Sequence, residues 1–409
     1  MVDLDLPETP VPVWLDCDPG HDDTFAILLA AYHPTIKLLG LSTVFGNAPL
    51  DANQTPPRKT TNNATSILTA IGKHNDIPVH VGAAKPMSRP PMQAATDIHG
   101  ESGLDGTDLL PQPAKDANRS VPAIDAMAAA LSAQPAGTAW LVATGSLTNV
   151  AELFAKYPDL VSHLKGLSIM GGAIGDGFTD IVMGVVDGVP RVGNWTPWAE
   201  FNIIIDPEAA AAVFHNKALA AKTTLVPLDL SHQVLATEEV RDALLYGTHG
   251  GEKMGKGKTT LRQMLVELLM FFAKTYRVLL TQMDKSDVFG ITAGPPLHDP
   301  LAVAAVLTGT RHEISFHDYD AKKGNCVKYH ERFELTVVTE GDLEEAKSGK
   351  SQLGRTVAKA LPPGSEGVRI PRGLDIPMFW RVIEKCTERA DRVNAGEVGG
   401  LKEGGTLEK

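Results

Sequence analysis

Apolar positions in the first part of the chain alternate between short continuous runs and longer stretches with helical spacing. VWLDCD (13–18), KLLGLSTVFG (37–46), PVHVGA (78–83), AWLVATG (139–145) and GLSIMGGA (166–173) have the unbroken apolar character of strands buried on both faces. Between them TFAILLAAYH (24–33), NATSILTAIG (63–72), AIDAMAAALSA (123–133) and LTNVAELFAKY (147–157) read as helices. This alternation predicts an α/β fold: an open, mostly parallel, doubly wound (Rossmann-like) sheet flanked by helices, with each strand ending in a polar or Gly-containing corner. After Asp206 the pattern becomes more helical, with a long helix expected over Thr260–Met283. The stretch from about Phe316 to Gly349 reads as strands and loops at the edge. Residues 1–390 are expected to form one domain. Two additions interrupt it at about 175–193 and 247–260, the second rich in Gly and Lys and expected to be mobile. The stretch 391–409 is poor in apolar residues and expected to be a disordered tail.

One corner changes the picture from architecture to chemistry. In VWLDCDPGHDDTFAILLA, Asp16 and Asp18 close the first strand, Pro19-Gly20 forces a turn, and Asp22 and Asp23 open a helix running through Tyr32. One acid there would be an ordinary helix cap. Capping does not ask for two more acids on the preceding strand, and four like charges in one corner call for a cation among them. Hard carboxylate oxygens with no Cys set beside them point to Ca²⁺ or Mg²⁺ rather than zinc.

The 409 residues carry a net charge of −11, which argues against a nucleic-acid or anionic-membrane surface and for a neutral or cationic small substrate, or a metal. Cys17, Cys326 and Cys386 lie far apart without a CxxC, a reduced intracellular pattern. The start MVDLDLPETPVP lacks the apolar core of a secretory signal and no run approaches membrane-spanning length, so a cytoplasmic protein is expected.

Further polar segments are weaker alone. HGESGLDG (99–106) is a Gly-rich loop with a His and two acids. In ATGSLTNVA (143–151), Thr144 ends a strand and its carbonyl can point into the crevice, while Ser146 or Thr148 can simply start the helix. GNWTPWAEFNIIIDPEAA (193–210) offers Asn194, Glu200 and Asn202 beside Trp195, Trp198 and Phe201, a mixture that suits a sugar and its ring or base. On an extended segment Glu200 and Asn202 would share one face. In GPPLHDPLAVAAVL (294–307) the pair His298-Asp299 opens a second apolar helix, and both acidic corners can face one cavity. Asp229 and His232 in LVPLDLSHQ read as structural.

DCDPGHDD, FGN (45–47), HGESGLDG, ATGSLTN, MGGA (170–173), NWTPWAEFNIIIDPEAA and PPLHDPLA occur here in the order found in nucleoside hydrolases, and the chain resembles that family from about residue 12 to 308. The resemblance implies a Ca²⁺-dependent N-ribohydrolase of the inosine–uridine-preferring type, cleaving uridine, inosine or cytidine to base and ribose as a homodimer or homotetramer. It implies that Asp18 and Asp23 ligate Ca²⁺ by carboxylate, Thr144 by its backbone carbonyl and Asp299 by carboxylate. Asp22 and Asn202 then hold the ribose hydroxyls, and Asn47, Asn194 and Glu200 complete the sugar site. Met170 and Phe201 pack beside it, His298 and His99 face the base, and Asp16 orients the other acids.

The chemistry is consistent with those roles. Breaking an N-glycosidic bond passes through an oxocarbenium-like ribosyl. Ca²⁺ accepts about 6–8 oxygens and can bind a water and two hydroxyls together. Asp18 is the best-placed general base for a metal-bound water, and His298 is the candidate acid for the departing base. Retention of His99 and His298 resembles the uridine- and inosine-cleaving members; Trp195 and Trp198 keep a purine base open. Two other readings compete. A Mg²⁺ phosphatase of the haloacid-dehalogenase type also has Asp-x-Asp after a first strand, but wants Thr or Val where this chain has Gly20. The other is an idle ribonucleoside-binding protein on the same scaffold.

Overall fold

The computed structural model describes residues 9–49, 58–186, 188–247, 256–283, 293–320, 325–327 and 331–396. Six parallel strands form the central sheet in the spatial order Val79–Val81, Ile36–Thr43, Val11–Cys17, Trp140–Ala143, Gly166–Met170, Thr223–Val226. The strand order reverses between Val11–Cys17 and Trp140–Ala143, and the crevice beyond their carboxyl ends is where open α/β sheets bind ligands. Asp16 pairs there with Ala143, so Asp18 and Thr144 emerge side by side.

Side chains of the first strand alternate between two cores. Val13, Leu15 and Cys17 enter one, with the first helix (His21–Tyr32), the long helix Thr260–Met283, Pro300–Ala305 and the last helix Ile376–Asn394. Trp14 enters the other, against Ala123–Ser132, Thr148–Lys156 and Pro207–His215. The register slips by one residue between Val13 and Trp14, opposite Gly40. A Cβ at Gly40 would lie 2.7 Å from the indole, so the glycine makes room for Trp14, whose Nε1–H donates to Ser42 Oγ at 2.9 Å.

The first helix is buried on all sides except at Ala31, because the helices Pro300–Ala305 and Ile376–Asn394 both pack against it. This is why its sequence is apolar nearly all round rather than striped. The contact with Pro300–Ala305 carries His298 and Asp299 back to the corner at Asp22 and Asp23.

The long helix spans Thr260–Met283 as expected. The start of the expected tail, 391–394, is helical. Ile376–Asn394 is one helix, with Asp391 bonded to Arg262 and Asn394 Nδ2 donating to the Ala70 carbonyl at 2.8 Å. These anchors order 391–394, and residues 397–409 lie outside the described residues. The 175–193 segment contains a small hairpin, Val185–Val186 with Val189–Pro190, and ends in a buried Arg191. Most of the Gly- and Lys-rich segment at 247–260 lies outside the described residues. Near the C-terminus Phe316–Asp320 pairs with Asn325–Val327 and Gly373–Leu374, and Phe333–Val337 with Thr356–Ala360, with a short helix Leu343–Lys347 between. Among the described residues no helix is long and apolar enough to cross a membrane.

Candidate active site

Four elements deliver carboxylates or carbonyls to the crevice. Asp18 follows the first strand and is fully buried; its Oδ2 accepts the Asn47 backbone N–H at 3.0 Å, and its Oδ1 finds no hydrogen-bond partner among the described residues. Glycines clear the space around it: a Cβ at Gly46 would sit 1.8 Å from Oδ2, and one at Gly145 would sit 2.8 Å from Oδ1. Asp23 reaches back to cap its own helix, its Oδ2 accepting Gly20 N–H at 2.9 Å while Oδ1 accepts the Thr144 hydroxyl at 2.9 Å. Capping therefore accounts for Asp23 alone. Asp299 stands at the N-cap of Pro300–Ala305 without making a side-chain cap. It turns instead toward Asp22 and Asp23, and one oxygen from each of the three lies within 4.8 Å of the others.

Such a cluster is costly without positive charge. Burial, reinforced by Asp23, holds Asp18 well above the ordinary carboxylate range, and burial with Asp22 and Asp23 does the same to Asp299. Burial and Asp23 lift Asp22 to about 7. The donors are all hard oxygens, one of them unpartnered, and a divalent cation of the Ca²⁺ or Mg²⁺ kind fits them. Asp16 lies one layer further in: its Oδ1 accepts Ser42 Oγ at 2.5 Å and Asn149 Nδ2 at 2.7 Å, and burial lifts it to about 7.

Above the acids lies a cavity with about 480 Å³ of empty space, part of it open to solvent. Asp22, Asn47, His99, Thr144, Met170, Asn194, Glu200, Phe201, Asn202, His298 and Asp299 all line it. Asp18 and Asp23 do not line it. Glu200 is not on an extended segment: it caps the short helix Phe201–Ile204, its carboxylate accepting the N–H groups of Asn202, Ile203 and Gly172 at 2.8, 3.1 and 2.9 Å. A cap demands extended geometry at Glu200 only, so the apolar–polar alternation of Glu200, Phe201 and Asn202 belongs to one helical turn. Burial lifts Glu200 to about 7. Asn202 Nδ2 donates to the Thr144 carbonyl at 3.0 Å and contacts Met170, and Asn194 Oδ1 accepts Phe201 N–H at 3.1 Å.

Trp195 lines the cavity and meets Phe201 edge-on at 4.8 Å, whereas Trp198 packs beneath the Arg355 guanidinium. His298 Nδ1 lies 2.7 Å from Ser231 Oγ, and its buried Nε2 has no partner among the described residues. Asp229 is structural, accepting the N–H groups of Ile174 and Gly175. His232 is not remote: it bonds the Tyr276 hydroxyl at 2.9 Å, and its ring lies 5.1 Å from that of His298, tilted by 55°. The sequence reading also passed over Phe272 and Tyr276, which line the cavity from the long helix one turn apart, and His21, which bonds His99.

A family model described as inosine-uridine preferring nucleoside hydrolase matches residues 13–381. The chain belongs to the nucleoside hydrolase family. It is 38% identical to the uridine nucleosidase of Saccharomyces cerevisiae over 387 residues, covering 94% of this chain and 98% of that one. A pyrimidine-specific ribonucleoside hydrolase of Shewanella woodyi is 39% identical over 296 residues, 72% of this chain and 79% of its own. Among solved structures, the purine-preferring ribonucleoside hydrolase of Gardnerella vaginalis superposes with a TM-score of 0.68 at 22% identity, covering 93% of this chain and 99% of that one. It shares the nucleoside hydrolase fold. The chain is thus an enzyme of the ribonucleoside-hydrolysing kind.

Proposed function

We propose that this nucleoside hydrolase cleaves the N-glycosidic bond of pyrimidine ribonucleosides, uridine above all, with Ca²⁺ held by Asp18, Asp23, Asp299 and the Thr144 carbonyl. The observation that carries this reading is the convergence of buried carboxylates from two distant helix starts at the foot of one cavity lined by amides, aromatic rings and histidines. A cation held by these residues would offset the repulsion among the carboxylates and would make a nearby water more acidic. Asp18, whose Oδ1 has no hydrogen-bond partner among the described residues, takes the proton of the attacking water. Asp22 and Asn202 hold the ribose hydroxyls, and Asn47, Asn194 and Glu200 orient the sugar against Met170 and Phe201. His99 and His298 meet the base, with His298 serving its departure.

Uridine is favoured because the two curated relatives described above are named for uridine and for pyrimidine ribonucleosides. Cytoplasmic placement is supported by Cys17 and Cys386, both buried and free. Assembly as a homodimer or homotetramer follows from the family likeness, and exposed Val182 and Val185 give the 175–193 segment an apolar outer surface for it.

Ribose release measured with a reducing-sugar assay should be strong from uridine and absent from 2′-deoxyuridine, with inosine and cytidine ranked beside them. Equal release from the deoxy substrate would remove the proposed hydroxyl contacts. Metal dependence has a second readout that needs no turnover. Ca²⁺ at a hundred times its Kd should stabilise the chelator-treated protein by about 2.7 kcal/mol in a thermal-shift measurement. Asp299→Asn should abolish most of that shift, and an unchanged shift would move the metal elsewhere.

A further inference from the structure

Two backbone carbonyls fix where protons lie around the base side of the cavity. His232 is buried, with Nδ1 at 3.0 Å from the Leu228 carbonyl and Nε2 at 2.9 Å from the Tyr276 hydroxyl. A carbonyl only accepts, so Nδ1 carries the proton of the neutral ring and Nε2 is left with a lone pair. The Tyr276 O–H must then donate to His232. Asn194 completes the arrangement: its Oδ1 is taken by Phe201 N–H, which turns its amino group toward the Tyr276 oxygen. Tyr276 lines the cavity with its single proton directed away from it, and offers the cavity an oxygen lone pair.

The second chain of bonds has the same logic. His21 Nε2 lies 2.8 Å from the Asp105 carbonyl and therefore carries a proton. Its Nδ1, a lone pair in the neutral ring, meets His99 Nδ1 at 2.9 Å. The shared proton belongs to His99 Nδ1, and His99 Nε2 is left as an acceptor. The two rings stack at 5.2 Å and 27°, and both lie against Phe272, so neither can turn over without breaking that stack. His21, His99 and His232 are all buried, and His21 and His99 lie against Phe272, surroundings in which a neutral imidazole is favoured over a charged one.

We propose that His21 and His232 lock the base side of the cavity into a hydrogen-bond-accepting wall, formed by His99 Nε2 and the Tyr276 oxygen, which selects leaving bases that carry N–H donors. The proposal rests on the nucleosidase reading and narrows it. Uracil presents a ring N–H, cytosine an amino group and hypoxanthine a ring N–H, whereas an aryl riboside has no such donor. His99 and Tyr276 position the base by accepting from it and do not supply its proton. Donation to the departing base falls to His298, whose unpartnered Nε2 can carry a proton when Ser231 donates to Nδ1.

Two measurements test this. The first is long-range ¹⁵N NMR of the histidine-labelled protein near neutral pH, assigned with His21→Phe, His99→Gln and His232→Phe. It should show His21 protonated at Nε2, and His99 and His232 protonated at Nδ1. A proton on Nε2 of His99 or His232 overturns the proposal, whatever the enzyme cleaves. The second is the ratio of kcat/KM for uridine to that for p-nitrophenyl riboside. One lost hydrogen bond predicts a fall of about tenfold in this ratio for His21→Phe and for His232→Phe. A ratio within twofold of the unmodified enzyme's would make both histidines mere packing and overturn the proposal. If the unmodified enzyme cleaves neither riboside, the nucleosidase reading fails, and the ¹⁵N result still decides the polarity of the wall.

Discussion

Replacing Asp18 with alanine is expected to lower kcat/KM for uridine by at least about a thousandfold, a loss of about 4 kcal/mol of transition-state stabilisation. Asp18 is fully buried, enclosed by Gly46 and Gly145, and no other side chain can move into its place without refilling that space. The substitution leaves a small polar gap and removes one of several mutually repelling carboxylates. In chelator, therefore, the Asp18→Ala protein should melt no lower than the unmodified one, and Asp18→Asn should melt higher. The Ca²⁺-dependent stabilisation should shrink in both. That opposite pair of signs separates loss of chemistry from loss of fold. Activity within tenfold, about 1.4 kcal/mol, would take the base role away from Asp18.

The second large effect lies away from the chemistry. Arg262 on the long helix is fully buried, its two terminal nitrogens each 3.0 Å from Glu384, its Nε 2.5 Å from Asp391, and Nη1 2.6 Å from the Leu244 carbonyl. Arg262→Leu removes the cation and leaves the buried Glu384 carboxylate without its partner. Breaking such a pair costs about 3–5 kcal/mol. Urea unfolding of Arg262→Leu should show that loss. Adding Glu384→Leu should recover a good part of it, because the pair together is replaced by apolar packing. A loss below about 1 kcal/mol in the single variant would mean that water or rearranged side chains replace the guanidinium. The same helix carries Phe272 and Tyr276 into the cavity, so its anchoring to the last helix also fixes the base wall.

Much of this site could be read from sequence because it is chemically improbable. Asp16, Asp18, Asp22 and Asp23 together have no structural excuse, and His298-Asp299 repeats the pattern at a second helix start. The strands were legible for a related reason: a sheet buried on both faces needs continuous apolar runs. What escaped was whatever resembles ordinary core. Phe272 and Tyr276 sit on a helix with many apolar residues, and nothing in a one-dimensional pattern separates a core aromatic from a cavity-lining one. His21 was hidden inside the acidic motif, and its role depends on Asp105 and His99, which only the fold brings near. The capping role of Glu200 escapes a one-dimensional pattern because one turn of helix after a cap is too short to show a helical period.

The carboxylates of the site come from two stretches far apart in the chain. Asp16 to Asp23 are made before the rest of the central sheet, and Asp299 joins them only after the sheet and the long helix exist. Contacts so distant in sequence form late. A nascent or truncated chain therefore holds the acidic corner without its final member, and a cation gains its full set of donors only when the C-terminal third has docked. If Asp299 is a ligand, activity and the docking of Pro300–Ala305 arrive together, and turnover itself reports that this helix is in place.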